Sequence, residues 1–197
     1  MFASNIDNEE IVKLPRQNFP GEAHVISSEE ELQKWIDALS KANIIGFDTE
    51  SKPSFKKGQN NGIALLQLST ENIALIIRVK AMGIPSQLVD ILENERIIKV
   101  GAAIRDDLKG LKNIQNFNPK GFIDLQKIAT DFNIEGQSVR KLAAIVLGVR
   151  VSKSQQLSNW ESETLTSAQI DYAATDAWVC REIYIKLNAI NPIKHSK

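Results

Sequence analysis

The stretch Ile44-Ile45-Gly46-Phe47-Asp48-Thr49-Glu50 runs from four mostly apolar residues straight into two carboxylates spaced D-x-E. The paired isoleucines and the lack of any polar residue before Asp48 predict a buried strand. Side chains alternate along a strand, so Asp48 and Glu50 share one side and Thr49 faces the other. Two carboxylates side by side at the end of a buried strand repel each other. They need a cation, a shared proton or a hydrogen-bond donor. A divalent metal meets that need most economically, because hard cations such as Mg²⁺ take oxygen ligands. Taken alone, D-x-E more often marks a strand running out into solvent. The rest of the chain shifts that balance.

Upstream of this strand, Leu32, Trp35, Ile36 and Leu39 recur at helical spacing. Ser27 and Ser28 precede Glu30 and Glu31 by three residues, a capping-box signature, so a helix of about three turns is predicted up to Lys41. His24-Val25-Ile26 reads as a short strand. Residues 1–23 are polar, carry Pro15, Pro20 and Gly21, and are expected to form an irregular, loosely attached extension. Downstream, residues 51–62 form a long loop with Lys56, Lys57, Asn60, Asn61 and Gly62. Segments 63–69 and 73–78 read as two more strands, joined by Thr70-Glu71-Asn72, so three consecutive strands form an antiparallel meander.

The pattern then changes to strands alternating with helices. Residues 85–93 read as a helix and 97–100 as a short buried strand. Gly101 opens a turn into a helix that begins around Asp106-Asp107-Leu108. Phe122-Ile123-Asp124 is the last short strand. Helices are predicted over 125–132, over 139–147 with Gly148 as its stop, and over 167–187, the last opened by Thr166 and Gln169 as a second capping box. A meander followed by this alternation implies an α/β fold, with a mixed sheet of about five strands, the first three antiparallel, flanked by helices. The D-x-E strand is central in it.

Composition bounds the function. The chain has 197 residues, 43% hydrophobic and 24% charged, enough for one ordinary core. Its single cysteine, Cys180, excludes an intramolecular disulfide and a cysteine-based zinc site. The two histidines, His24 and His195, sit in no motif. The 24 basic and 24 acidic residues give zero net charge, which supplies no global attraction to nucleic acid but leaves room for local basic patches. No apolar run approaches the length of a membrane span, and the N-terminus is polar, so an intracellular, cytoplasmic protein without membrane contact is expected.

Tyr172 and Asp176 lie four residues apart in the last predicted helix and therefore share a face. Ala173 and Ala174 keep that helix slim. Each residue has a plain structural reading: Tyr172 over Asp176 is commonly a structural hydrogen bond, and Asp107 or Asp106 near a helix start commonly serves the dipole or the cap. Together, however, Asp48, Glu50, Asp107 and Asp176 supply four carboxylates beside one phenol. Four converging carboxylates can hold two Mg²⁺ or Mn²⁺ ions, an arrangement suited to in-line displacement at phosphorus.

The segments FDTE (47–50), KVGAAIRDDLKGL (99–111) and YAATD (172–176) resemble, in order and spacing, the three motifs of the DEDD exonucleases, and the tyrosine in the third points to the DEDDy branch. That branch includes ribonuclease D, the proofreading domain of DNA polymerase I and the Werner syndrome exonuclease domain. ALLQLS (64–69), Ile123-Asp124-Leu125 and LSNWESETLTSAQIDYAATDA (157–177) extend the likeness to nearly the whole chain. Three motifs in order are far more specific than any one of them. Many relatives carry histidine or asparagine where Ala102 and Ala103 stand, so local substrate contacts can differ here.

The resemblance implies a ribonuclease H-like fold and a domain over 24–190, between an extension (1–23) and a tail (191–197). It implies a metal-dependent 3′-5′ exonuclease using two ions of Mg²⁺ or Mn²⁺ on nucleic acid with a free 3′ end, with DNA slightly favoured over RNA. Asp48, Glu50, Asp107 and Asp176 match the metal ligands, with Asp106 the rival of Asp107. Tyr172 matches the residue that orients the attacking water. Thr49, Leu66 and Lys153 are candidate substrate contacts, with Lys57 and Gln67 behind them, while Trp160 reads as a loop anchor. A non-catalytic nucleic-acid-binding module and a phosphohydrolase acting on small nucleotides are the alternatives.

Overall fold

The computed structural model of the chain describes residues 2–54 and 61–192. Lys57, a candidate phosphate contact read more readily as a solvated surface lysine, lies outside the described residues, as does most of the tail expected at 191–197. The chain opens with a one-turn helix α1 (Asn8–Ile11), strand β1 (Glu22–Ile26) and short helices α2 (Glu29–Gln33) and α3 (Ile36–Ser40). The meander follows as β2 (Ile44–Glu50), β3 (Leu65–Ser69) and β4 (Ile73–Ile77). Then come α4 (Val79–Met82), α5 (Ser86–Glu93), β5 (Ile98–Gly101), α6 (Arg105–Ile114) and β6 (Phe122–Asp124). The chain continues as α7 (Leu125–Asp131), α8 (Val139–Leu142) with a π-helical turn Ala143–Leu147, and the long α9 (Ser167–Ile190).

All six strands join one mixed sheet in the order β1-β4-β3-β2-β5-β6. The meander β2-β3-β4 is antiparallel as expected, and β5 and β6 extend it in parallel with β2. The sheet exceeds the expected five strands because residues 22–26 add an edge strand parallel to β4. β2 is interior, and Ile45, Gly46 and Phe47 are buried on its two faces.

Local chemistry explains the element ends. Ser28 caps α2 by accepting from the Glu31 N–H at 3.3 Å, and the Glu31 carboxylate reaches back to the Ser27 N–H at 2.7 Å. The single helix predicted here is interrupted at Trp35, which leaves helical φ (−117°) and lays its ring on His24 with centroids 4.0 Å apart. Packing of the aromatic pair outweighs one helical hydrogen bond. Thr166 and Gln169 form the predicted capping box of α9. Gly148 takes the left-handed conformation (φ 71°) that ends the turn after α8, as a C-cap glycine does.

The extension 1–23 was expected to be loose and is instead tied down. Ile11 is fully buried, and Phe2 packs edge-on against Phe132. The Gln17 N–H donates to the Arg150 carbonyl at 3.0 Å, the Arg150 N–H donates to the Pro15 carbonyl at 2.9 Å, and the Phe19 N–H donates to Thr175 Oγ1 at 3.0 Å. Proline fixes φ and favours extended neighbours, so the two prolines suit a docked extended strap rather than disorder.

Apolar layers cover both faces of the sheet. On one side Phe47, Leu66, Leu68, Leu75 and Ile77 pack with α2, α3, α5 and the inward residues Ile104 and Leu111 of the α6 region. On the other side lies α9. It passes so close over β2 that a Cβ built on Gly46 would sit 1.8 Å from the Ala177 carbonyl oxygen. Ala173, Ala174 and Ala177, fully buried, permit that approach.

Candidate active site

The close crossing of α9 over β2 sets the site. Asp48 and Glu50 emerge on the α9 face at the end of β2, and Asp176 immediately precedes the Ala177 carbonyl that presses on Gly46. One carboxylate oxygen from each of Asp48, Glu50 and Asp176 lies within 4.8 Å of the others. One turn before Asp176, the Tyr172 hydroxyl donates to its carboxylate. The Tyr172 ring leans on Trp160 at a centroid distance of 5.8 Å. Trp160 is fully buried, consistent with the anchoring role expected of it.

Asp107 arrives from the opposite side of the sheet. Its helix α6 packs into the Phe47 layer, and Thr49 faces the same way by strand alternation. Thr49 Oγ1 donates to Asp107 Oδ1 at 2.5 Å. Asp106 points into solvent, its side chain 83% exposed beside Arg105. The structure therefore brings Asp107, and not its rival, near the cluster, where its charge acts on Asp48 and Glu50, although it is not one of the three carboxylates that converge within 4.8 Å. Ahead of α6, Ala103 takes a left-handed φ of 58°. It is held there by its N–H, which donates to Asp124 Oδ1 at 3.0 Å while the same oxygen caps α7 through the Gln126 N–H.

The electrostatics are unbalanced. Burial, joined by the charges of Asp176 and Asp107, drives the Asp48 carboxyl well above the usual carboxylate range, only partly opposed by the Thr49 N–H. Burial and the neighbouring Asp48, Asp176 and Asp107 push Glu50 up to about 10. Asp176 is raised by burial to about 7 even though Tyr172 donates to it. Asp107 is raised by burial against the opposing Thr49 bond. The Tyr172 phenol is raised too, by burial and the adjacent carboxylates, and stays protonated. Among the described residues no lysine or arginine forms an ion pair with any of the four carboxylates. A donor set made only of carboxylate oxygens, buried and short of positive charge, fits a hard divalent cation.

The three candidate substrate contacts fall differently. The Thr49 hydroxyl is committed to Asp107 and its N–H to Asp48, so Thr49 holds these two carboxylates. Leu66 pairs with Thr49 across the hairpin and is fully buried in the opposite layer, so the structure does not bring it to the cluster. Side chains alternate faces, and Leu65, opposite Glu50, holds the position on the site side. Lys153 is exposed between Ser152 and Ser154, which line a cavity together with Tyr172 and Asp176. Gln67 lies opposite Asp48, fully buried, with neither amide atom hydrogen-bonded among the described residues. Sequence reasoning gave Asp124 no role in the site and overlooked the leader residues Arg16 and Asn18. Asp124 stood in the recognised Ile123-Asp124-Leu125, whereas nothing local marks Arg16.

Residues 23–190 match the 3′-5′ exonuclease family, and the chain belongs to it. It is 33% identical over 198 residues to a putative 3′-5′ exonuclease, R431, of Acanthamoeba polyphaga mimivirus, covering 89% of this chain and 48% of that protein. It is 33% identical over 155 residues to the bifunctional 3′-5′ exonuclease/ATP-dependent helicase WRN of Mus musculus, covering 76% of this chain and 11% of that protein. The chain thus spans half or less of the length of these relatives. Its fold matches the Nibbler EXO domain of Aedes aegypti with a TM-score of 0.79 at 23% identity, covering 88% of this chain and 91% of that one. It also matches Escherichia coli RNase D with a TM-score of 0.74 at 23% identity, covering 85% of this chain and 46% of that one. The mixed sheet is therefore the ribonuclease H-like one. Among the described residues no helix is long and apolar enough to cross a membrane.

Proposed function

We propose that this protein is a metal-dependent 3′-5′ exonuclease that releases nucleotides from the free 3′ end of a nucleic acid inside the cell, with residues 24–190 as its catalytic unit. The observation that carries this reading is the convergence of Asp48, Glu50 and Asp176 within 4.8 Å in a member of the 3′-5′ exonuclease family. Asp48, Glu50, Asp107 and Asp176 would hold two ions, Mg²⁺ or Mn²⁺. When bound, such ions acidify water and neutralise the charge gathering on phosphate oxygens.

The protein's own groups do the rest. Tyr172 keeps its proton at Oη and gives it to Asp176 in a hydrogen bond, so towards the attacking water it would act as a positioning acceptor rather than as a base. Its bond to Asp176 fixes the direction of that hold. Glu50, at the outer end of β2, would accept from the terminal 3′ hydroxyl. Thr49 ties Asp107 to the strand and so keeps the two sides of the cluster in register. Lys153 supplies a phosphate contact from the cavity rim.

The test is a 5′-labelled oligonucleotide incubated with Mg²⁺ or Mn²⁺, as matched DNA and RNA strands that differ at the 2′ position. A ladder shortening from the 3′ end is expected. No shortening with either metal and either strand would overturn the reading in favour of a binding module. Asp48→Ala and Asp176→Ala are expected to abolish the ladder in folded protein, and Tyr172→Phe to slow it more mildly.

A further inference from the structure

We propose that Arg16, with Asn18 and the segment 152–154, forms a subsite for a phosphodiester of the substrate strand upstream of the bond that is cleaved. The proposal rests on the exonuclease reading above. A cavity of about 80 Å³ has Arg16, Asn18, Ser152 and Ser154 on one wall and Tyr172 and Asp176 on the other. Two of its lining residues, Tyr172 and Asp176, belong to the cluster. Two members of the first wall, Arg16 and Asn18, precede the family match, which begins at residue 23.

That wall is built rather than incidental. The backbone of residues 15–17 pairs in parallel with Arg150, and Arg150 Nε donates to the Leu14 carbonyl at 3.0 Å. The Phe19 N–H bond to Thr175 then pins the strap to α9. Ser152 Oγ donates to Ser154 Oγ at 2.9 Å, which sets both hydroxyls at the cavity. Arg16 spends Nε on Asn18 Oδ1 at 3.2 Å, and this orients the guanidinium while leaving its terminal N–H groups. Among the described residues Arg16 forms no ion pair, although Asp171 and Asp176 line the same cavity.

A guanidinium beside two hydroxyls and an amide is a donor set for phosphate oxygens. Asp171 weakens the attraction for a free anion. A phosphodiester on a strand already held at the cluster arrives at high effective concentration and does not need strong intrinsic affinity. On this proposal, a strand with its terminal nucleotide at Glu50 would pass Tyr172 and Asp176 towards Arg16, which share one cavity.

The experiment is kinetics of the full chain on a 5′-labelled single strand at several salt concentrations. Arg16→Ala is expected to raise KM about 5- to 10-fold with kcat within about twofold. It should also flatten the salt dependence of affinity by about 0.7 in log–log slope, the contribution of one phosphate on a single strand. Arg16→Lys should restore that slope. A neutral methylphosphonate moved one linkage at a time from the 3′ end should reproduce the KM rise at one upstream position, and should add nothing in Arg16→Ala. The modified strands leave the protein unaltered, so the result does not depend on how the variant folds. Unchanged KM and salt slope in Arg16→Ala, or a methylphosphonate effect undiminished in it, overturns the subsite. If the unaltered protein fails to shorten any strand, the exonuclease reading falls and the subsite with it. If it shortens strands while Arg16→Ala is silent, the subsite alone falls.

Discussion

Thr49 joins the two halves of the cluster. Its hydroxyl holds Asp107 and its N–H holds Asp48, although its side chain faces away from both Asp48 and Glu50 along the strand. Thr49→Val keeps the shape and removes the donor. Loss of a hydrogen bond that orients a ligand typically costs about 10- to 100-fold in metal affinity or activity. We expect that drop in the Mg²⁺ titration of activity, with little change in folding; wild-type Mg²⁺ dependence would remove Thr49 from the support of the site. The carboxylates themselves set a pH dependence. Asp48, Glu50, Asp107 and Asp176 all have folded pKa values above their unfolded ones, near about 4, so the folded state holds more protons than the unfolded state in that window. Stability of the metal-free protein is therefore greatest at low pH and is lost as pH rises through about 7 for Asp176 and on to about 10 for Glu50. Metal binding requires the deprotonated forms. The rise in Tm on adding Mn²⁺ should thus be larger at pH 8 than at pH 6, and an equal rise at both would count against the cluster as the binding site. By the same logic Asp48→Asn should stabilise the metal-free protein at pH 8 while removing activity.

The contact of β2 with α9 does more for the site than either element alone. Asp48 and Asp176 are 128 residues apart in the chain, and they meet because Gly46 lets the helix backbone touch the strand. Gly46→Ala would place a methyl 1.8 Å from the Ala177 carbonyl oxygen, and the helix must move to admit it. Overpacking of this kind costs about 1–3 kcal/mol or more. The expected result is a lower Tm together with a fall in kcat, because the shift displaces Asp176 relative to Asp48. A variant with normal Tm and normal kcat would mean that the crossing is softer than the packing indicates. The periodicity of α9 and its capping box were legible from residues 166–187, and so was the slimness given by Ala173 and Ala174. The break in the helix predicted for 28–41 was not legible, because it depends on Trp35 finding His24 on a different element. The added edge strand, foreshadowed only by His24-Val25-Ile26, depends in the same way on β4 offering its free edge.

Across the whole molecule, the N-terminal strap is the part that local reading misjudged. Its polar composition with two prolines suggested looseness, yet Phe2, Ile11 and Phe19 anchor it against β1, α7 and α9 neighbours and it pairs with Arg150. Deleting residues 1–20 should lower Tm by several degrees, since it removes the buried Ile11 and takes Phe19 from Trp178. It should also raise KM through loss of Arg16. A truncated protein with unchanged Tm would show that the strap contributes nothing to the fold.

The residues proposed to do the chemistry were already marked along the chain. Asp48 and Glu50 at a strand end, and Tyr172 and Asp176 one helical turn apart, follow from periods of two and 3.6 residues, which are properties of the backbone itself. Choosing Asp107 over Asp106, putting Leu65 rather than Leu66 beside Glu50, and turning Arg16 towards Tyr172 required the folded chain. These depend on which face meets which neighbour across separations of tens to more than a hundred residues, and no local period encodes that. Long-range packing of α6, the β2–β3 register and the docked strap decide it.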